Sequence, residues 1–245
     1  MRDVVVQTLR RVNESFYQTF AAEFSATRER LQPGVLRALE MIPPGANILD
    51  LGCGNGEFAR QLFLHSHQGL YLGLDLSEIM LEQARERVTD DRTHFLAVDL
   101  NDADWTSRLH AAFPNLPPAF DCILAFAVLH HIPGSGQRLS LVRAAGELLL
   151  PQGIWIVSVW DFLASERLRG RILPWESAGL NPVDVEPGDS LIEWRRGGSG
   201  QRYVHHFTPE SLRELAIAGG FSVLETYRSD GENGRLGLYQ VWQRI

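Results

Sequence analysis

Lysine is absent from this chain: all 23 basic residues among its 245 are arginine, set against 30 acids for a formal net charge of −7. That balance excludes nucleic-acid binding through bulk positive charge, though not through a local basic face. Arginine is also the cation that grips phosphates and carboxylates bidentately. Cysteine is scarce. Cys53 and Cys122 stand alone, with neither zinc spacing nor a disulfide framework, so no metal is expected and a reducing compartment is. No stretch approaches the ~18 apolar residues of a membrane span. The opening MRDVVVQTLRRVNESF lacks the apolar run and small-residue cleavage site of a secretion signal. These absences predict a cytoplasmic protein with no membrane partner. There is no internal repeat or low-complexity tract, and the length suits one large α/β domain.

What is present falls into four stretches. Residues 1–45 read as a helical cap. Val5, Leu9, Val12, Phe16, Phe20 and Phe24 recur at helical spacing, and a second helix is expected over 33–41, from Pro33 to the Pro43-Pro44-Gly45 break. Residues 46–160 alternate short apolar runs with amphipathic segments. Strands are expected at NILDLG, 69–74, 94–98, 120–126 and 154–160, and helices at 57–65, 77–88, 105–112 and 137–149. Five such alternations imply a parallel sheet with helices on both faces, wound by right-handed crossovers. Residues 161–206 carry Arg, Gly, Pro and Trp with no clear period, which predicts an insertion or lid over the site. Residues 207–245 supply a helix at 209–218, capped by Thr208, and two strands near 221–228 and 236–244 joined by a turn at 230–234.

The chemistry concentrates at strand ends. Asp50-Leu51-Gly52-Cys53-Gly54-Asn55-Gly56 joins a strand to a helix, and glycines at alternate positions let backbone approach a ligand closely. The third glycine comes too early for a dinucleotide fingerprint. Asp50 would repel a diphosphate yet suits a cationic amino-acid end, which favours S-adenosylmethionine (SAM) over NAD. Asp75 ends the second strand about 20 residues past the glycine turn, where an acid can accept both ribose hydroxyls. Asp99 ends the third, where it can accept from an adenine amino group while Leu100 covers the ring. The plainer alternative is that each Asp caps a helix or turn. Three acids at three successive strand ends, beside the glycine turn, weigh against it.

The segments ILDLGCGNG, LGLDLSEIMLEQAR, AVDL and FDCILAFAVLHHI resemble the successive motifs of class I SAM-dependent methyltransferases over about residues 46–160. The resemblance implies a Rossmann-like, seven-stranded, mostly parallel sheet whose last strand, near 236–244, is antiparallel. It also places Leu76, Ala125 and Phe126 with the glycine turn and the three acids in the cofactor site.

The acceptor side is less determined. His130 and His131 follow the fourth strand at the end nearest the transferable methyl and could orient or deprotonate an acceptor; alternatively one packs under the next loop. Ser25, Thr27, Arg28 and Arg30 follow the first helix, where Arg28 could clamp a carboxylate or simply be solvated. Arg202 to Phe207 alternates polar and aromatic types and could equally be an ordinary edge strand. FYQTFAAEFSATRERLQPGV, LHHI and RYVHHFTPESLRELAIAGGF are similar to segments of the tRNA wobble-uridine carboxymethyl methyltransferases. That likeness implies an acceptor site formed by Arg28, His130, Arg202, Tyr203 and His205, and a small activating subunit such as often accompanies the eukaryotic family. Arg167, Arg169, Arg171, Arg195, Arg196 and Arg202 could form a basic rim for tRNA or a solvated loop. Two other readings stay open: methylation of a small-molecule acid or hydroxyl, and a non-catalytic SAM-binding module.

Overall fold

The short apolar runs over 48–51, 71–75 and 120–126 are largely buried on both faces, as parallel strands covered by helices must be, whereas the run over 93–97, at the sheet's edge, buries only Phe95. The computed structural model describes residues 1–25, 30–231 and 233–245, with all side chains among them except those of Ala22 and Phe24. The chain begins with α1 (Asp3–Ser25), kinked at Phe20, and α2 (Pro33–Glu40). Then come β1 (Ile48–Leu51), α3 (Glu57–Leu64), β2 (Tyr71–Asp75), α4 (Glu78–Arg87), β3 (Thr93–Ala97), α5 (Trp105–Ala112), β4 (Phe120–Phe126), α6 (Ser135–Glu147) and β5 (Leu149–Trp160). The remainder is α7 (Glu166–Arg169), β6 (Ile172–Leu173), β7 (Asp189–Trp194), β8 (Gly200–His205), α8 (Pro209–Ala218), β9 (Phe221–Ser229) and β10 (Gly237–Arg244).

Among the described residues seven strands form the main sheet, in the order β3-β2-β1-β4-β5-β10-β9. β10 runs antiparallel to both its neighbours, and the other pairs are parallel. The order reverses between β1 and β4, and there a crevice opens beyond the carboxyl ends of the strands. Strand alternation divides the core. Leu49, Leu72, Ile123 and Trp155 face Leu109, Val142 and Leu212 of α5, α6 and α8. Ile48, Tyr71, Cys122 and Ile156 face Val35, Phe58 and Leu81 of α2, α3 and α4. Ser77 caps α4 by accepting from the Met80 N–H, and Thr208 caps α8 in a reciprocal box with Ser211.

The stretch 161–206, which shows no period, is more regular than expected. It holds α7 and a second, antiparallel sheet in the order β6-β7-β8. β8 is the edge strand that the alternation from Arg202 allows, while β7 hides because both its faces are covered. Leu191 and Tyr203 pack on Val5 and Leu9 of α1, whereas Ile192 and Val204 pack on Phe162 and Leu168. Polar and apolar residues therefore need not alternate. α1 lies on this small sheet through Val5, Leu9 and Phe16, as its spacing predicts, and Phe16 and Phe20 pack on Trp194. Among the described residues no helix is long and apolar enough to cross a membrane.

Candidate functional site

The turn between β1 and α3 needs glycine for two separate reasons. Gly52 and Gly54 have φ of 75° and 57°, a left-handed conformation that side chains resist. A Cβ on Gly52 would also meet Val128 Cγ2 at 2.5 Å, whereas one on Gly54 would meet nothing within 4 Å. Gly54→Ala is therefore expected to cost about 1–2 kcal/mol from conformation alone. Gly52→Ala adds a clash of about 1–3 kcal/mol more. Thermal melts of the two variants check this; equal midpoints would mean that Val128 yields without cost.

The turn forms one side of a pocket of about 230 Å³ at the sheet's switch point. Asp50, Asp75 and Asp99, from three successive strand ends, all line it, as do Gly52, Cys53, Gly54, Asn55, Leu76, Leu100 and Phe126. Asp50 is 2% exposed. Its Oδ2 accepts from Tyr71 OH at 2.5 Å, while its Oδ1 is buried with no partner among the described residues. Burial, helped by the charge of Asp75, pushes this carboxyl up to about 7 against the opposing Tyr71 hydrogen bond. Asp75 accepts from the Gly54 N–H and the Ser77 N–H, each at 2.9 Å. Burial still raises its pKa. Asp99 goes the other way. Burial pushes it up, but bonds from Asn101 and Arg10 outweigh that and hold it below the usual carboxylate range. The Cys53 thiol, raised by burial and by Asp75 and Asp50, stays protonated and unreactive.

Gly56 and Ala125 do not line the pocket. A Cβ on Gly56 would meet Ala84 Cα at 2.9 Å, so this glycine serves the close packing of α3 on α4. Ala125 has the opposite parity to Phe126 on β4, and its side chain lies in the core on the other face of the sheet.

α1 is tied to the pocket in three places. Arg10 Nη2 donates to Asp99 Oδ2 and Asp102 Oδ1, both at 2.7 Å. Ser25 Oγ accepts from Asn55 Nδ2 at 2.9 Å. Between them Asn13, only 6% exposed, donates from Nδ2 to the His131 carbonyl at 3.0 Å and accepts at Oδ1 from the Tyr203 N–H at 2.8 Å. Asn13 and Tyr17 line the pocket; no described residue of 161–206 does. The cover expected from the insertion comes instead from α1. Asn13 carries a sequence signal: it is an amide on the apolar stripe of α1, four residues after Leu9 and three before Phe16. A buried amide needs partners. Arg30 is the only arginine lining the pocket among the described residues.

The two histidines divide. His131 lines the pocket and meets Tyr17 edge to face at 5.7 Å. Its Nδ1 lies 3.0 Å from the Tyr203 carbonyl, which can only accept. Nδ1 therefore carries a proton. His130 is fully buried outside the pocket wall, stacked on Trp160 at 5.3 Å, with Nδ1 accepting from the Trp160 N–H at 3.4 Å.

Arg202, Tyr203 and His205 also stand outside the pocket wall. The Arg202 guanidinium lies 4.2 Å from the Trp160 ring centroid, 5.2 Å from Phe16 and 5.4 Å from Trp194. Tyr203 OH donates to Asp189 Oδ1 at 2.7 Å and accepts from Arg138 Nη1 at 3.3 Å. His205 Nδ1 meets the same Asp189 oxygen at 2.7 Å. These contacts anchor β8 to β7 and α6, so the structure gives the Tyr203 and His205 side chains a bracing position rather than a place at the pocket. Arg28, with Thr27, lies outside the described residues.

Residues 49–155 match a family described as a methyltransferase domain. Among curated relatives, the chain is 30% identical to the mouse tRNA (carboxymethyluridine(34)-5-O)-methyltransferase ALKBH8, over 81% of this chain and 26% of that one. It is 26% identical to the tRNA (carboxymethyluridine(34)-5-O)-methyltransferase of Schizosaccharomyces pombe, over 85% of this chain and 88% of that one. The chain thus spans about a quarter of the mouse relative's length and most of the yeast relative's. Among solved structures, a complex between the Haloferax volcanii Trm112 methyltransferase activator and a methyltransferase gives a TM-score of 0.65 at 17% identity, covering 96% of each chain. A Burkholderia thailandensis 1,6-didemethyltoxoflavin-N1-methyltransferase gives 0.64 at 16% identity, covering 100% of this chain and 91% of that one. At such identities these structures speak for the fold alone.

Proposed function

We propose that this chain, a class I SAM-dependent methyltransferase that resembles the tRNA carboxymethyluridine methyltransferases, esterifies the carboxylate of a carboxymethyl group on the wobble uridine of tRNA. One observation carries the cofactor reading: carboxylates from three successive strand ends meet in one pocket, and Asp50 presents there a buried oxygen with no partner among the described residues. In this reading Asp50 holds the cofactor's ammonium, Asp75 the ribose hydroxyls and Asp99 the adenine amino group. Arg30 is the cation available to the cofactor's carboxylate. When bound, SAM supplies an electrophilic methyl group and leaves as the neutral thioether.

For a carboxylate acceptor the step balances without proton transfer: an oxygen–carbon bond forms as the carbon–sulfur bond breaks, and no base is required. What this chain must do is align and dehydrate. Asn13, Tyr17 and His131 make the part of the wall suited to that task, with His131 orienting the acceptor rather than deprotonating it. The likeness to the yeast relative runs over 85% of this chain, well beyond the cofactor domain, and supports the tRNA acceptor.

The test has two stages. Thermal-shift titration with SAM and its demethylated product is expected to stabilise the protein; no shift with either removes the reading. Labelled SAM is then offered with tRNA bearing carboxymethyluridine and, separately, with small-molecule acids, each with and without a small activating subunit. Label in the tRNA supports the proposal. Label only in small acids moves the acceptor to that class, and binding without any transfer favours a non-catalytic SAM-binding module.

A further inference from the structure

The first turn of α2 is closed from outside its own helix. Gln32 at the N-cap supplies no side-chain cap, and Pro33 follows it. The Gly34 N–H would be an orphan donor of the helix start. It donates instead to Asp230 Oδ1 at 2.9 Å, a residue of the turn between β9 and β10 and 196 positions away. The Gly34 carbonyl accepts from Tyr227 OH at 3.0 Å. Tyr239 OH donates to the second oxygen, Asp230 Oδ2, at 2.5 Å, and the two tyrosine rings stack at 4.8 Å and 8°. Arg37 covers the Tyr227 ring at 4.2 Å and pairs with Glu225. Burial raises both tyrosine hydroxyls, so they remain donors. A Cβ on Gly34 would stand 2.4 Å from Tyr239 Cε2; glycine alone admits this approach.

The clasped segment is part of the pocket, although the clasp is not. Arg30, Leu31 and Gln32, just before Gly34, and Val35, just after it, line the pocket; Asp230, Tyr227 and Tyr239 do not. Leu31 and Val35 pack in the same apolar cluster as Cys53 and Phe58, beside the glycine turn. We infer that Asp230, Tyr227 and Tyr239 are positioning residues for the cofactor: by gripping both backbone polar groups of Gly34, the far edge of the sheet sets how closely the Arg30-to-Val35 wall stands against the glycine turn. The inference rests on the pocket holding SAM.

The experiment measures SAM affinity by titration calorimetry and the KM for SAM against kcat, in the full chain. Asp230→Ala is expected to raise the Kd and KM for SAM about tenfold, with kcat at saturating SAM within about twofold of wild type. Asp230→Asn keeps an oxygen for the Gly34 N–H and tolerates the φ of 68° at this position, so it should recover most of the loss. Should Asp230→Ala fail to fold, Tyr239→Phe, which deletes one hydroxyl, is expected to weaken SAM about threefold. Wild-type SAM affinity in either folded variant overturns the inference, as does a loss that appears in kcat alone. A wild-type protein that binds no SAM ends the reading of the pocket itself, an outcome distinct from variants that bind as wild type does.

Discussion

The Asp50→Asn variant is expected to bind SAM about 100-fold more weakly than wild type, the loss of a buried charge-assisted hydrogen bond. The same variant, free of ligand, is expected to melt higher than wild type at pH 8. Both follow from one buried carboxyl whose pKa burial and Asp75 push up from the ordinary 3.8 to about 7, against the Tyr71 hydrogen bond. A bound ammonium favours the ionised form, so SAM binding releases a proton. Affinity therefore rises with pH up to about 7 and levels off above it, falling by as much as about tenfold per unit on the acid side. In the Asn variant that slope disappears. Stability has the opposite sign. Because the folded pKa exceeds the unfolded one, the stability this group contributes is fully present below pH 3.8 and lost as pH rises through about 7. At pH 8 wild type carries the whole cost of the buried charge, and the variant carries only an incompletely bonded amide. The expected gain is about 4–8 °C, shrinking toward pH 5. Calorimetry in buffers of different ionisation heat, and melts at both pH values, check the pair of results. A wild-type affinity flat between pH 5 and 8, or a variant that melts lower at pH 8, contradicts them.

The second large effect concerns Asn13. Its amide holds the Tyr203 N–H and the His131 carbonyl, while the His131 ring holds the Tyr203 carbonyl. Three segments thus close around one side chain: α1, the His131 turn and β8. β8 lies at one end of its sheet order, so its outward N–H at Tyr203 needs a partner that no neighbouring strand supplies. Asn13→Ala removes the acceptor of the buried Tyr203 N–H and the donor to the part-buried His131 carbonyl, about 2–4 kcal/mol. The melting point is expected to drop by about 5–10 °C. Turnover on carboxymethyluridine tRNA is expected to fall about 100-fold, the penalty for a displacement of order 1 Å at a positioned group. Single-turnover labelling decides between roles. A lower melting point with unchanged turnover would make Asn13 a structural tie and nothing more.

How much of this was readable beforehand depended on range. The glycine turn, the three acids and the alternation of strands with helices are local patterns. The carboxylates must stand at consecutive strand ends in any right-handed parallel sheet built from them. The parity of β4 was equally local: adjacent residues of a strand cannot share a face, so Phe126 and Ala125 could not both line the pocket. Of the strands in 161–206, β8 showed as the edge strand that the alternation over 202–207 allows, whereas β7 was hidden because its cover comes from both sides, partly from a helix at the other end of the chain. Which of His130 and His131 would reach the pocket was hidden because neighbouring histidines differ only in what surrounds them.

By itself, then, the amino-acid order determined the sheet, its winding, and the gathering of Asp50, Asp75 and Asp99 around one pocket. Tertiary structure alone decided that α1 rather than the insertion lines that pocket, that Asn13 ties the His131 carbonyl to the Tyr203 N–H, and that Asp230 holds Gly34. The reason is physical. Strand-end geometry repeats with a short period that spacing reveals, whereas a buried amide or carboxylate is satisfied by whichever backbone group the packed chain brings within 3 Å, here from 118 to 196 residues away.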